Sequence, residues 1–232
     1  MKKILLVIFA IILCSSIAVS QVTIKGGISL GTVGGNDSKF SLDLSDFNPS
    51  LSGSLSAEPT TRLGFVAGAA VRIGLPIGIT IQPEIWYVQK GATYKFPTIP
   101  LDILTPGLSG NATETIKLDY IEIPLMIKYS LPVPVISPYL EAGLSYSALL
   151  SAKLKTEVSL SGVPGITAPP TTETDIKADM NKSDFSIQLG AGVSIAMLEV
   201  DARYVIGLSK LDKDKKEDIY NRAIVLTLGL KL

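Results

Sequence analysis

Apolar and polar residues alternate one by one through most of this chain. The clearest stretch is residues 115–131, TIKLDYIEIPLMIKYSL. Its positions Ile121, Ile123, Leu125, Ile127 and Tyr129 are apolar and end in a tyrosine. The intervening Tyr120, Glu122, Pro124, Met126, Lys128 and Ser130 are mixed and include a carboxylate and an ammonium. A period of two puts these sets on opposite faces of a strand, in two different environments.

Seven further stretches repeat the pattern: residues 22–33, 62–74, 79–94, 138–152, 183–196, 198–208 and 220–232. In the first, Val22, Ile24, Gly26, Ile28 and Leu30 oppose Thr23, Lys25, Gly27, Ser29 and Gly31. In the last, Ile224, Leu226, Leu228, Leu230 and Leu232 oppose Ala223, Val225, Thr227, Gly229 and Lys231. Pro83 interrupts the third stretch and predicts a bulge or local kink there.

The connections also alternate. Long polar ones follow the first, third, fifth and seventh stretches, at residues 34–61, 95–114, 153–182 and 209–219. Short ones follow the second and fourth, and almost none separates the sixth from the seventh. This parity predicts an all-β fold, an eight-stranded antiparallel transmembrane β-barrel with short periplasmic turns and long extracellular loops. A soluble eight-stranded barrel with an apolar ligand inside is the rival reading. It asks for a greasy interior and a polar exterior. Here one face is apolar in nearly every strand, and the other carries Gly, Ser, Thr, Gln and charges. Such a face makes a poor core and a cramped polar lumen, so the apolar band is expected to meet lipid, where a spanning backbone must close on itself. Tyr87, Tyr129, Tyr146 and Tyr204 fall on the apolar faces, where an interfacial girdle is expected.

Composition narrows the picture. A chain of 232 residues suits one larger β-domain. Hydrophobic residues make up 47%, yet no internal run reaches the ~20 apolar residues of a membrane helix. At the start, Lys2 and Lys3 precede an apolar run over residues 4–13, and Ala18-Val19-Ser20 precede Gln21. These features predict a secretory signal peptide over residues 1–20, cleaved near Ser20/Gln21, with an uncleaved N-terminal anchor as the other reading. Cleavage leaves residues 21–232 as an outer-membrane barrel domain.

It also removes Cys14, the one cysteine, and no histidine occurs anywhere. Ser-His and Cys-His catalysis, thiolate metal sites and the commonest transition-metal ligand are thereby excluded. No enzyme activity, cofactor or metal is expected. The formal net charge is zero, and losing Lys2 and Lys3 makes it slightly negative. No basic stripe suggests nucleic acid.

The candidate site is the set of charges on the inward faces: Arg72, Glu84, Glu122, Lys128, Glu141, Glu199, Asp201, Arg203 and Lys231. They read either as a pore lining or as a structural salt-bridge network. An eight-stranded barrel is just wide enough inside for side chains, and unpaired charges there are costly. A network is therefore expected, with Glu122 or Lys128 meeting Glu141 on the neighbouring strand and Arg203 reaching across. Glu199 and Asp201 could suggest acid–base work, but adjacent inward positions also follow from alternation, and no nucleophile accompanies them. Asp212, Asp214, Glu217 and Asp218 lack the Gly and ligand spacing of a calcium loop and read as a solvated charge run.

The stretches IQPEIWYVQKG, DYIEIPLMIKY and PYLEAGLSYS resemble the Bacteroidetes outer-membrane β-barrel family that includes the PorT-like proteins. The resemblance covers residues 22–232, and its motifs are Gln82-Pro83-Glu84, Gln89-Lys90-Gly91 and Glu122-Ile123-Pro124 through Lys128-Tyr129. It implies outer-membrane lipid around the barrel and the barrel-assembly machinery as a partner. The terminal aromatic common in barrels recognised by that machinery is absent, since the chain ends Leu230-Lys231-Leu232. Through the association of PorT with protein secretion, the resemblance also brings in envelope or secretion-complex proteins. Two functions remain open. One is a non-enzymatic barrel that displays loops or docks partners. The other is a narrow, porin-like small-solute or ion channel.

Overall fold

Residue pairing closes the chain on itself. The computed structural model describes residues 21–43, 54–100, 109–131, 133, 135–161, 169–214 and 216–232. The expected signal peptide and its cleavage site lie outside them. The strands are β1 (Gln21–Gly34), β2 (Phe40–Asp43), β3 (Ser54–Ala57), β4 (Pro59–Gly74), β5 (Ile79–Pro100), β6 (Ser109–Ser130), β7 (Ile136–Ser161), β8 (Thr172–Asp175), β9 (Ser183–Ile195), β10 (Leu198–Lys210) and β11 (Tyr220–Lys231). Eight of them form the ring β1-β4-β5-β6-β7-β9-β10-β11, each antiparallel to its neighbours. The ring shuts where β11 returns to β1, from Thr23 opposite Lys231 to Gly34 opposite Tyr220. No barrel edge is left for hydrocarbon to strand. Among the described residues no helix is long and apolar enough to cross a membrane.

Alternation sorts the side chains as expected. Ile24, Ile28, Phe65, Ile85, Ile123, Leu125, Ile127, Leu140, Leu144, Leu189, Val200, Leu226 and Leu228 point outward and are exposed. Their neighbours Thr23, Lys25, Ser29, Glu84, Glu122, Glu141, Gln188, Asp201 and Thr227 are buried inside. The short turns, the start of β1 and the end of β11 share one rim, where the Leu232 amide donates to the Val22 carbonyl at 2.8 Å. At the opposite side of the apolar band Phe65 packs on Tyr87 and Tyr146 on Phe185, each pair with ring centroids 5.2 Å apart. The girdle thus contains Tyr87 and Tyr146 together with two phenylalanines. Tyr129 stands at the turn side, and Tyr204 lies within the band, with Leu208 beyond it on β10.

Two expectations need correction. Pro83 causes no register shift: β5 holds one register against β6 from Ile79 to Phe96. Pro83 instead projects outward opposite Leu125, and the irregularity falls between Thr61 and Val66 on β4. Three of the expected long loops are also partly strand. β5, β6 and β7 run well past the apolar band, and β8 pairs with β7 beyond it. The outward residues there turn polar, with Lys117 against Glu173 at 2.5 Å and Lys155 against Glu157 at 2.8 Å. The inward residues Ala92, Tyr94, Phe96, Leu118 and Ala152 are buried. The hairpin of β2 and β3 covers them. Phe40 lies 5.7 Å from the Tyr94 ring and 5.9 Å from that of Phe96, and Tyr94 donates to the Ser38 carbonyl at 3.1 Å. Burial pushes the Tyr94 phenol up to about 12, so it stays a donor.

Gly91 sits at the irregularity in the β4–β5 ladder, between the pairs Val66–Val88 and Thr61–Ala92. Its φ is +126°, and a Cβ there would sit 2.0 Å from the Ile116 carbonyl oxygen. Only glycine takes this conformation at low cost. Gly91→Ala is expected to destabilise the refolded barrel by at least about 1–3 kcal/mol, the range for strained backbone. Urea titration of the detergent-refolded protein measures it, and an unchanged midpoint would show that the irregularity can move.

Candidate functional site

The inward charges gather in two layers. The layer nearer the turns centres on Arg203 of β10. Its Nη1 and Nη2 meet the two Glu84 oxygens at 2.5 and 2.8 Å. Its Nε donates to Glu141 Oε1 at 2.6 Å. One guanidinium therefore ties β10 to β5 across the lumen and to β7. The planar fork fits this role, because it serves two carboxylates at once. Lys25 Nζ donates to Asp201 at 2.6 Å and to Glu199 at 3.4 Å. Lys128 pairs with Glu199 and lies 3.3 Å from Glu141. Aromatic groups close the layer: Trp86 Nε1 donates to Glu84 at 2.6 Å, and Lys128 sits 4.3 Å above the Tyr139 ring.

The second layer lies toward the loops. Lys90 Nζ meets Glu122 at 2.5 Å, Ser147 donates to the same carboxylate at 3.0 Å, and Gln188 donates to its other oxygen. Asn221 Nδ2 donates to Asp184 at 2.9 Å and to the Tyr120 hydroxyl at 3.1 Å. A cavity of about 10 Å³ separates the layers, lined by Trp86, Lys90, Glu122, Gln188, Arg203 and Val205. That is room for roughly one water molecule. Beyond the second layer the lumen is apolar. Val33, Ala92, Leu118, Leu149 and Ala152 are buried there together with Tyr94 and Phe96. The expectation of a polar interior therefore holds only toward the turns. Toward the loops the strands enclose an ordinary core, because β5, β6 and β7 continue past the membrane and carry apolar inward residues there.

The expected site residues divide accordingly. Glu84, Glu122, Lys128, Glu141, Glu199, Asp201 and Arg203 all belong to the layers and are buried. Lys128 meets Glu141 as anticipated, whereas Glu122 takes Lys90 instead. Arg72 is half-buried and has no ion-pair partner among the described residues. Lys231 donates to Ser194 at the turn-side mouth, outside both layers. Three participants, Lys25, Lys90 and Asp184, are not among the expected site residues. Lys25 sits on an inward face whose other members are Thr, Ser and Gly, a setting that gives no sign of a charged layer. Lys90 was hidden by the kink expected at Pro83; unbroken alternation from Trp86 through Val88 reaches it. Asp184 begins its strand, where facing is hardest to judge. Four buried cations thus meet six buried carboxylates, and Asp184 has no ion-pair partner among the described residues.

The last-loop acids are engaged locally. Asp212 accepts from the backbone amides of Asp214 and Lys216 at 3.3 and 2.9 Å, which lower its carboxyl below the usual range. Asp218 pairs with Lys210 at 2.6 Å and is lowered by it. Among the described residues, no group of three or more acidic or thiol side chains is arranged to hold a metal ion.

The chain can be set beside known proteins on this basis. No curated protein matches it. Among solved structures it is similar to Neisserial surface protein A, with 14% identity over 91% of this chain and 97% of that one, at a TM-score of 0.42. It is similar to Ail of Yersinia pestis, crystallised with the heparin analogue sucrose octasulfate, with 14% identity over 92% and 99% and a TM-score of 0.38. It is also similar to the outer membrane enzyme PagL, with 13% identity over 91% and 99% and a TM-score of 0.41. The sequence model of the outer membrane protein beta-barrel domain matches residues 18–213. With that match and a closed ring of eight antiparallel strands, the chain belongs to the outer membrane protein beta-barrel domain family and resides in the outer membrane.

Proposed function

We propose that this protein is a non-conducting, non-enzymatic barrel whose role is to hold its extracellular extension at the cell surface for display or partner docking. The supporting observation is the doubly closed lumen. Two cross-linked charged layers fill its turn-side half, and a packed apolar core with the β2–β3 hairpin over it fills the rest. The intervening cavity of about 10 Å³ does not connect the two mouths as a solute path. The channel reading loses its support from this filling. The non-enzymatic reading rests on side-chain chemistry. The chain has no histidine, and the buried Ser145 and Ser186 hydroxyls pair with each other at 2.5 Å, with no base beside them.

Among the described residues, segments above the membrane hold one another. Asp37 accepts from the Asp218 amide at 2.7 Å, and Lys213 donates to the Asp179 carbonyl at 2.9 Å, so separate loops are tied together. A tied platform presents a binding surface at less entropic cost than free loops. The resemblance to PorT-like proteins makes secretion-complex proteins the first partners to seek by co-purification from solubilised outer membrane. The direct test of the plugged lumen is single-channel recording in a planar bilayer. Conductance at the background of the lipid is expected; large, stable steps like those of general porins would overturn the reading.

A further inference from the structure

The three short turns carry side chains that a water-facing turn does not call for. Ile77 and Val135 are 82% and 83% exposed, the highest among the described large hydrophobic residues. Both have positive φ, 62° and 73°, and Ala196 in the third turn has 49°. Glycine and asparagine take this region readily, and a β-branched residue there is an outlier. The neighbouring Gly78, at φ 78°, shows the ordinary solution. Turns in water favour Gly, Asn, Asp and Ser. Residues 75–78, 131–135 and 196–197 instead read LPIG, LPVPV and AM, with no charge among them.

These turns form one continuous rim. Gly78 abuts the Ser130 carbonyl, Leu131 donates to Pro138 at 2.9 Å, Ile136 stands opposite Ile195, and Lys231 donates to the Met197 carbonyl at 2.8 Å. The rim is also continuous with the lipid-facing band, through Ile79, Tyr129, Ile136 and Leu198. On β5 the outward apolar run from Ile79 to Tyr87 covers about 20 Å along the membrane normal, at ~3.3 Å per residue and a tilt near ~40°. That is short of the ~25 Å apolar band of such barrels. On β9 and β10 the outward runs Phe185–Ile195 and Leu198–Leu208 reach about 25 Å by the same measure, so the shortfall is that of β5, and with the aromatic girdle fixed on the loop side the turn at Ile77 supplies it there. Near the rim stand the cations Arg72 and Lys231, opposite Gln21 and Thr23 at the start of β1, which a lipid phosphate layer favours, and the carboxylate of Glu199, which is turned into the lumen and paired there with Lys25 and Lys128.

We infer that the periplasmic rim of Ile77, Val135, Met197 and their neighbours is inserted into the inner-leaflet interface of the outer membrane, so that lipid covers it. This rests on the membrane seating of the barrel and not on the docking role. It leaves the extracellular extension as the face available to protein partners. The test uses the refolded protein in phosphatidylcholine nanodiscs, which leave both faces open to an aqueous quencher. Ile77→Trp and Val135→Trp report the rim, and Lys95→Trp reports the exposed extension. Trp86 is the single native tryptophan and is buried in the lumen, so it provides a constant background. Brominated phosphatidylcholine is expected to quench both rim reporters at least twofold, with little effect of acrylamide. Lys95→Trp should behave in the opposite way. If Ile77→Trp or Val135→Trp does not fold, Met197→Trp, whose backbone is not strained, gives the same reading. Rim reporters that bromine leaves untouched and acrylamide quenches strongly would overturn the inference and return the rim to the periplasm as a free surface. Bilayer conductance stays at background in either case, so this result is separable from that of the plugged lumen.

Discussion

Arg203→Met is expected to destabilise the barrel by about 3–5 kcal/mol, the range for breaking a buried ion pair from one side. The guanidinium is the group that answers both Glu84 and Glu141, at 2.5 and 2.6 Å, inside a lumen already richer in carboxylates than in cations. Without it those two carboxylates lose a shared counter-charge, and Lys25 and Lys128 are left to face four carboxylates in the lower layer. Glu84→Gln alone should cost less, since Gln keeps the volume and its carbonyl can still accept from Arg203. Arg203→Met with Glu84→Gln should cost less than the two singles combined, because one of the orphaned charges is removed as well. Coupling of ~0.5–3 kcal/mol is the ordinary size for groups in one network. Urea unfolding of the refolded protein measures all three, and Trp86, 5.4 Å from the guanidinium, gives the fluorescence signal. Strict additivity of Arg203 with both Glu84 and Glu141 would mean that the lower layer is not a network.

Leu226→Arg should cost about 2–4 kcal/mol, the penalty of a charge on the lipid face near mid-bilayer. Leu226 projects outward between Ile28 and Ala202 on the neighbouring strands. Thr227, one residue on, is buried in the lumen between Gly27 and Asp201. Space there is tight, since a Cβ on Gly27 would lie 1.9 Å from the Leu226 carbonyl oxygen. Thr227→Ser removes a methyl and keeps the hydroxyl, so it should be nearly silent. Insertion into lipid vesicles, followed by the mobility shift of the folded form on gels, compares the two. A silent Leu226→Arg beside a damaging Thr227→Ser would invert the register of β11.

Much of this was legible because a strand has a period of two. Once lipid lies on one side, each residue's neighbours decide which way it points, and no long-range information is required. On that basis alone Glu84, Glu122, Glu141, Glu199, Asp201 and Arg203 are expected inside. The same rule, applied without a break at Pro83, reaches Lys90 as well. A proline that faces lipid and donates no bond removes one hydrogen bond from the ladder without shifting it, and sequence inspection cannot tell this from a bulge.

What alternation cannot supply is height and angle around the barrel. Pairing depends on register and on the tilt that closure imposes, both of which accumulate strand by strand. Hence Glu122 meets Lys90 rather than Glu141, and Arg72 lies apart from the network although its face was assigned correctly. The strand ends were likewise hidden. Residues 95–100 and 109–114 carry prolines, glycines and polar groups typical of loops, and they pair because β5, β6 and β7 support one another above the membrane under the β2–β3 hairpin. The sequence by itself determined a membrane barrel of eight strands and which face of each meets lipid, because those are local consequences of burial on one side. The tertiary structure alone decided which charges pair and that the outer half of the lumen is a closed apolar core, because both depend on which distant residues the closed ring brings to the same level.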